Sequence, residues 1–147
     1  MAVSIEIDPN ISGVIAPIAG SILTHVIEQE GFSVDNISII FGNDNLLKKL
    51  KIEFFHLDQL TDVVAFRLND YERNEVEGEI YISIPRAKEN AKTFDEPLAR
   101  EVGRLIIHGG LHLLNYNDQT EAEKDIMTRK EEKYLHQCNW QDLIHER

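Results

Sequence analysis

A single cysteine, Cys138, stands in the whole chain. One thiol closes no internal disulfide and builds no thiolate cage for zinc. A reducing compartment is therefore expected, and any bound metal falls to histidine and carboxylate ligands. With four prolines and eight glycines in 147 residues, collagen-like and low-complexity classes are excluded. No apolar run approaches the roughly 20 residues that a membrane helix needs. The opening MAVSIEIDPN has neither the basic segment nor the apolar segment of a secretion signal. These absences predict a cytoplasmic chain with no membrane contact. Positive charge is scarce too: 15 Lys and Arg against 26 Asp and Glu give a net charge of −11, which argues against a generally basic nucleic-acid binder. A local basic groove remains open, because steering depends on where charge sits. Lys48, Lys49 and Lys51 form one cluster and Arg86, Lys88 and Lys92 another, with Arg100 and Arg104 further on. The plainer reading of each cluster is a solvated helix face.

What is present is apolar residue enough, at 42%, for one domain spanning residues 1–147 that folds around its own core. Period-two alternation in VSIEI predicts a first strand. From Ile11 to about Glu30, Val14, Ile18, Ile22 and Val26 recur at helical spacing, with Pro17 marking the true start and Gly31 the stop. NISIIFG reads as a buried strand. DNLLKKLKIEFF reads as an amphipathic helix capped by Asn43 or Asp44. Residues 62–66 (DVVAF) predict another strand, NDYERNEVEG an exposed connection, and residues 79–84 (EIYISI) a half-exposed strand ended by Pro85. Helices are expected over 86–92, over 97–114 with Pro97 in the first turn, and from about Thr120 to Gln137. This order predicts an α+β domain, a small mixed β-sheet packed by helices.

Within the fourth helix stand His108 and His112, one turn apart on one face among Ile106, Ile107, Leu111, Leu113 and Leu114. Two imidazoles on a largely buried helix need partners, since an unpaired buried polar group costs about 1–3 kcal/mol. Spacing alone leaves two readings open: separate core histidines bonded to backbone or carboxylate, or two ligands of one ion. The next residues favour the ion. Asn115-Tyr116-Asn117-Asp118 is a helix-ending cluster, and Asn tolerates the left-handed turn found at helix ends. A chain reversing there carries Asp118 back to the histidine face as a third ligand. Two His and one Asp leave one position for water, the arrangement of catalytic zinc, and zinc makes a hydroxide-like nucleophile of that water. Gly109 follows the first histidine, so the HExxH protease pattern is absent.

The segment HGGLHLLNYND resembles the H-G-x-L-H-L-x-G-Y-D-H signature of the YbeY family. TDVVAF (61–66) resembles that family's T-D-V-L-S-F, GEIYIS (78–83) its G-D-I-x-I-S, and EAEKDIMTRKEEKYL its acidic, Met-containing helix. The resemblance runs in order from about Ile37 to Leu135. It implies a zinc-dependent, single-strand-specific endoribonuclease of one α+β domain with a central metal-binding helix. It also implies one Zn2+, and as partners ribosomal RNA precursor and the small ribosomal subunit, with roles in 3′ end maturation and ribosome quality control. Asp118 stands where the family usually has His, Asn115 where it has Gly, and Asn117 where it has Asp. The family commonly carries an arginine ahead of T-D-V; here Phe55 holds that position, with His56 next. Arg67 and Arg104 are then the candidates for a cation beside the zinc-bound water. Two further classes fit the ligand set: a metal-dependent hydrolase of another substrate, and a ribosome-associated protein whose metal is structural.

Overall fold

In a computed structural model, which describes residues 3–145, the period-two stretches pair into one four-stranded sheet. The elements run β1 (Val3–Ile7), α1 (Ala16–Gln29), β2 (Ser33–Gly42), α2 (Asp44–Phe55), β3 (Val63–Arg67), β4 (Glu75–Ser83), α3 (Ile84–Thr93), α4 (Leu98–Leu113) and α5 (Glu121–Gln137), with a final 3-10 turn at Trp140–Asp142. Strand order is β1-β2-β4-β3; β1, β2 and β4 are parallel and β3 runs against β4. This is the expected α+β domain with a small mixed sheet. Among the described residues, no helix is long and apolar enough to cross a membrane.

Local chemistry sets most boundaries. Pro17 lies in the first turn of α1, and Gly31, at φ 91°, turns the chain out after it. Asn43 caps α2 by accepting from the Leu46 amide, and Thr120 and Glu123 close a reciprocal capping box on α5. Four boundaries differ from the sequence reading. β2 starts at Ser33, not residue 36, with a bulge between Val34 and Asn36 interrupting the register. β4 starts at Glu75 inside the presumed connection; it is an interior strand of the sheet with one face buried and the other partly exposed, as its alternation predicts. Pro85 opens α3, whose N-cap is the Ser83 hydroxyl, and Pro97 is the residue before α4, not part of its first turn.

Helix α4 sits at the centre. It is buried on nearly every face and packs against α1, α3, α5, β3 and β4. The two glycines of HGGLH permit this. A Cβ on Gly109 would stand 2.6 Å from Ile80 Cγ2 on β4, and one on Gly110 would stand 2.9 Å from Leu23 Cδ1 on α1. Larger residues would push α4 off the sheet and off its neighbour helix. The packing that holds this helix therefore also fixes the two histidines at its C-terminal end.

Candidate metal centre

Both histidines project from the last two turns of α4, and the chain then reverses. Asn115 takes a left-handed conformation at φ 73°. The Asn115 amide donates to the His112 carbonyl at 3.0 Å and the Tyr116 amide to the Leu111 carbonyl at 3.1 Å. The turn carries Asp118 back to the histidine face. Its Oδ2 lies 3.3 Å from His108 Nε2 and 3.5 Å from His112 Nε2, and the two Nε2 atoms are 2.9 Å apart. A tetrahedral ion with bonds of roughly 2.0–2.1 Å separates its ligands by roughly 3.3 Å. Three donor atoms at these spacings, all within 4.8 Å of one another, fit one such ion after the histidine pair opens slightly.

The surroundings prepare the imidazoles for that task. His108 Nδ1 is 2.6 Å from Glu131 Oε2 on α5, so a proton held there leaves the Nε2 lone pair facing Asp118. His112 has its pKa lowered, chiefly by burial and then by the neighbouring His108, against the pull of Asp118. The neutral imidazole that a metal requires is therefore favoured.

Arg104 and Arg67, the two arginines singled out from the sequence, are committed to protein partners, and neither lines the cleft over the histidines. Arg104 forks onto Glu101, with Nε donating to Oε1 at 2.9 Å and Nη2 to Oε2 at 2.8 Å. It also reaches Glu131 at 3.4 Å and Asp62 at 3.7 Å. Hydrogen bonding to Glu101 holds its pKa above the usual guanidinium value. Arg104 thus reaches His108 indirectly, through Glu131. Arg67 donates to the Leu113 carbonyl at 2.8 Å, to Asn69 Oδ1 at 2.6 Å, and to the Asp70 and Arg73 carbonyls at 2.9 and 3.0 Å. It caps the C-terminus of α4 and pins the β3–β4 connection to it.

Glu30, Glu101 and Glu131 are central here but were not singled out in the sequence. Glu131 shares the buried stripe of α5 with Met127, Tyr134 and Leu135, and an acid on an apolar stripe is the signal that marks it. Glu30 ends α1 and braces the ligand turn from below. It accepts from Tyr116 at 2.6 Å, from Lys130 at 3.0 Å and from the Tyr134 hydroxyl. Burial alone would raise its pKa, but the bonds from the two tyrosines and Lys130 outweigh that and hold it low. The folded state then binds fewer protons than the unfolded chain near pH 4. Stability from Glu30 is present above the unfolded value and is lost as pH falls through the folded one. In thermal melts from about pH 6 to about pH 3, the wild type is expected to lose melting temperature more steeply than Glu30→Gln. Parallel slopes would show that Glu30 carries no such linkage.

Above the donors opens a cleft of about 400 Å³, a size common for small-ligand sites. Lys51 and Phe55 of α2, Asp62, and Tyr71 of the β3–β4 connection form its rim. A wider groove of about 710 Å³ along β1 and α1 has, among the described residues, His25 and Glu28 as its ionisable lining groups, whereas the smaller cleft gathers the three donors.

Comparison with known proteins follows the same lines. Residues 6–139 match the family profile described as Endoribonuclease YbeY. The chain is 42% identical over 111 residues to Endoribonuclease YbeY of Amoebophilus asiaticus, covering 76% of this chain and 75% of that protein. It is 39% identical over 109 residues to the protein of the same name from Christiangramia forsetii, covering 74% and 75%. The solution structure of TM1509 from Thermotoga maritima matches with a TM-score of 0.60 at 26% identity, over 90% of this chain and 87% of that one.

Proposed function

The chain belongs to the YbeY family, and from that premise we propose that it is a metal-dependent endoribonuclease cutting single-stranded RNA. Its substrate is ribosomal RNA precursor, in 3′ end maturation of the small subunit and in ribosome quality control in the cytoplasm. The observation that carries this reading is the convergence of His108, His112 and Asp118 at the floor of an open cleft. Among the described residues the cluster has three members, which supports an open, catalytic coordination sphere over a closed structural one.

In this reading the three side chains hold one Zn2+. Bound there, zinc supplies Lewis acidity and a water acidified towards neutral pH. The chain's own residues do the rest. Glu131 holds the His108 Nδ1 proton and so fixes which nitrogen faces the site. Arg104 keeps that carboxylate in place from behind. Asn115 turns the backbone so that Asp118 reaches both histidines, and Glu30 anchors the turn through Tyr116. Each contact lowers the reorganisation needed when a phosphodiester enters.

The test is cleavage of labelled single-stranded and duplex oligoribonucleotides by the purified protein, before and after chelation. Cutting of the single strand is expected to vanish with chelator and return with added zinc. Cleavage that survives chelation, or that treats duplex and single strand alike, would reject the proposal.

A further inference from the structure

We propose that Phe55, Tyr71 and Lys51 form a nucleotide-binding rim on the metal cleft, where the two rings stack on unpaired bases and the ammonium engages a backbone phosphate. The inference deepens the endoribonuclease reading and rests on it. Phe55 is 43% exposed and Tyr71 48% exposed. A single exposed aromatic needs no explanation. Here two rings from separate elements, the end of α2 and the β3–β4 connection, line the one cleft that holds the histidines.

Both rings are braced from behind. Phe55 stacks on Phe66 with centroids 5.8 Å apart and planes 23° apart, and Phe66 in turn meets Tyr81 edge-on at 6.0 Å. Tyr71 has the Arg67 guanidinium carbon 5.3 Å from its ring centroid, and four hydrogen bonds hold that guanidinium still. Flat faces held by packing lose little freedom when a ligand covers them.

Positive charge reaches the rim at Lys51. Lys51 is the one Lys or Arg among the described residues that line the cleft. Its Nζ lies 4.8 Å from the Phe55 ring centroid. Neighbouring Lys48 is paired with Asp58 at 3.3 Å, whereas Lys51 makes no ion pair among the described residues. The Asp62 carboxylate, also in the cleft, is answered from behind by Asn90 at 3.0 Å and Arg104 at 3.7 Å. An uncompensated cation beside two flat apolar faces fits single-stranded nucleic acid, whose every base offers a π-face. A duplex keeps those faces stacked on one another and cannot offer them. The rim therefore accounts for strand selectivity without reading sequence.

The experiment measures anisotropy of a labelled, 2′-O-methylated single-stranded oligonucleotide with the zinc-loaded protein, and gel analysis of the same samples checks that the strand stays intact. Phe55→Leu and Tyr71→Leu keep apolar bulk and remove the aromatic face. Each is expected to weaken binding on the order of 10-fold, with metal content and melting temperature unchanged. Phe55→Trp is expected to bind at least as tightly as wild type. Lys51→Gln is expected to weaken all sequences alike and flatten the salt dependence by about 0.7 in logarithmic slope, while Lys49→Gln, outside the cleft, leaves it unaltered. Unchanged affinity in both leucine variants would overturn the rim while leaving the endoribonuclease reading intact. No binding of single strand by the wild type would overturn both.

Discussion

Asp118→Ala is expected to empty the metal centre. Losing an outer partner of a ligand typically costs about 10–100-fold in metal affinity, and Asp118 is itself a donor, so the loss should exceed 100-fold. RNA cleavage should fall with it. The fold should survive: the Asp118 side chain is 32% exposed, on a turn rather than in the core, and substitutions in such places usually shift stability by less than about 0.5 kcal/mol. Metal analysis after dialysis against a competing chelator reads the effect directly. Asp118→His restores a donor of the kind the family usually has and is expected to recover binding. Full metal retention in the alanine variant would remove Asp118 from the ligand set.

Arg104→Met is expected to be the most destabilising single change at the site. Glu101 and Glu131 are each 5% exposed, and Arg104 bonds to both. Removing one partner of a buried charge cluster leaves uncompensated charge and costs about 3–5 kcal/mol. In a chain of this length that lowers the melting temperature by roughly 10 °C. Arg104→Lys should recover only part, because an ammonium cannot fork onto a carboxylate. A melting temperature within about 2 °C of wild type in the methionine variant would mean that the acids are solvated after all. The same substitution should loosen Glu131 and weaken metal binding, joining a stability readout to a site readout.

How much of this was legible follows from where each signal lies in the chain. β1, α2 and α5 were readable because period and cap agree: Asn43 ahead of α2, and Thr120 with Glu123 on α5. The start of β4 was hidden by Gly78. The inward positions there are Val76, Gly78, Ile80 and Ile82, and a residue without a side chain breaks the apolar alternation between two outward acids. Gly is required because a Cβ would stand 2.8 Å from Leu113 Cδ2. Sequence could propose the return of Asp118 to the histidine face because Asn115 marks the turn locally. It could not pair Glu131 with His108, 23 positions before it, or Glu30 with Tyr116, 86 positions on. Those pairings arise only when α1 and α5 pack on α4. Arg104 and Arg67 were candidates for a cation at the site because only part of what occupies them is local: Glu101 and the Asp70 and Arg73 carbonyls are near in the chain, whereas Glu131, Asp62 and the Leu113 carbonyl come from other segments.

The three donors differ in how much of the molecule must open to let go of an ion. His108 and His112 belong to a helix packed on nearly every face, and moving them apart approaches global unfolding. Asp118 sits beyond the left-handed Asn115, on a turn tethered by Tyr116 to Glu30, and such a segment opens locally at far lower cost. For an ion held by these three residues, exchange is expected to have a gate: its lifetime would follow the opening rate of one turn, and amide protons along α4 would stay protected from solvent while the ion leaves and returns.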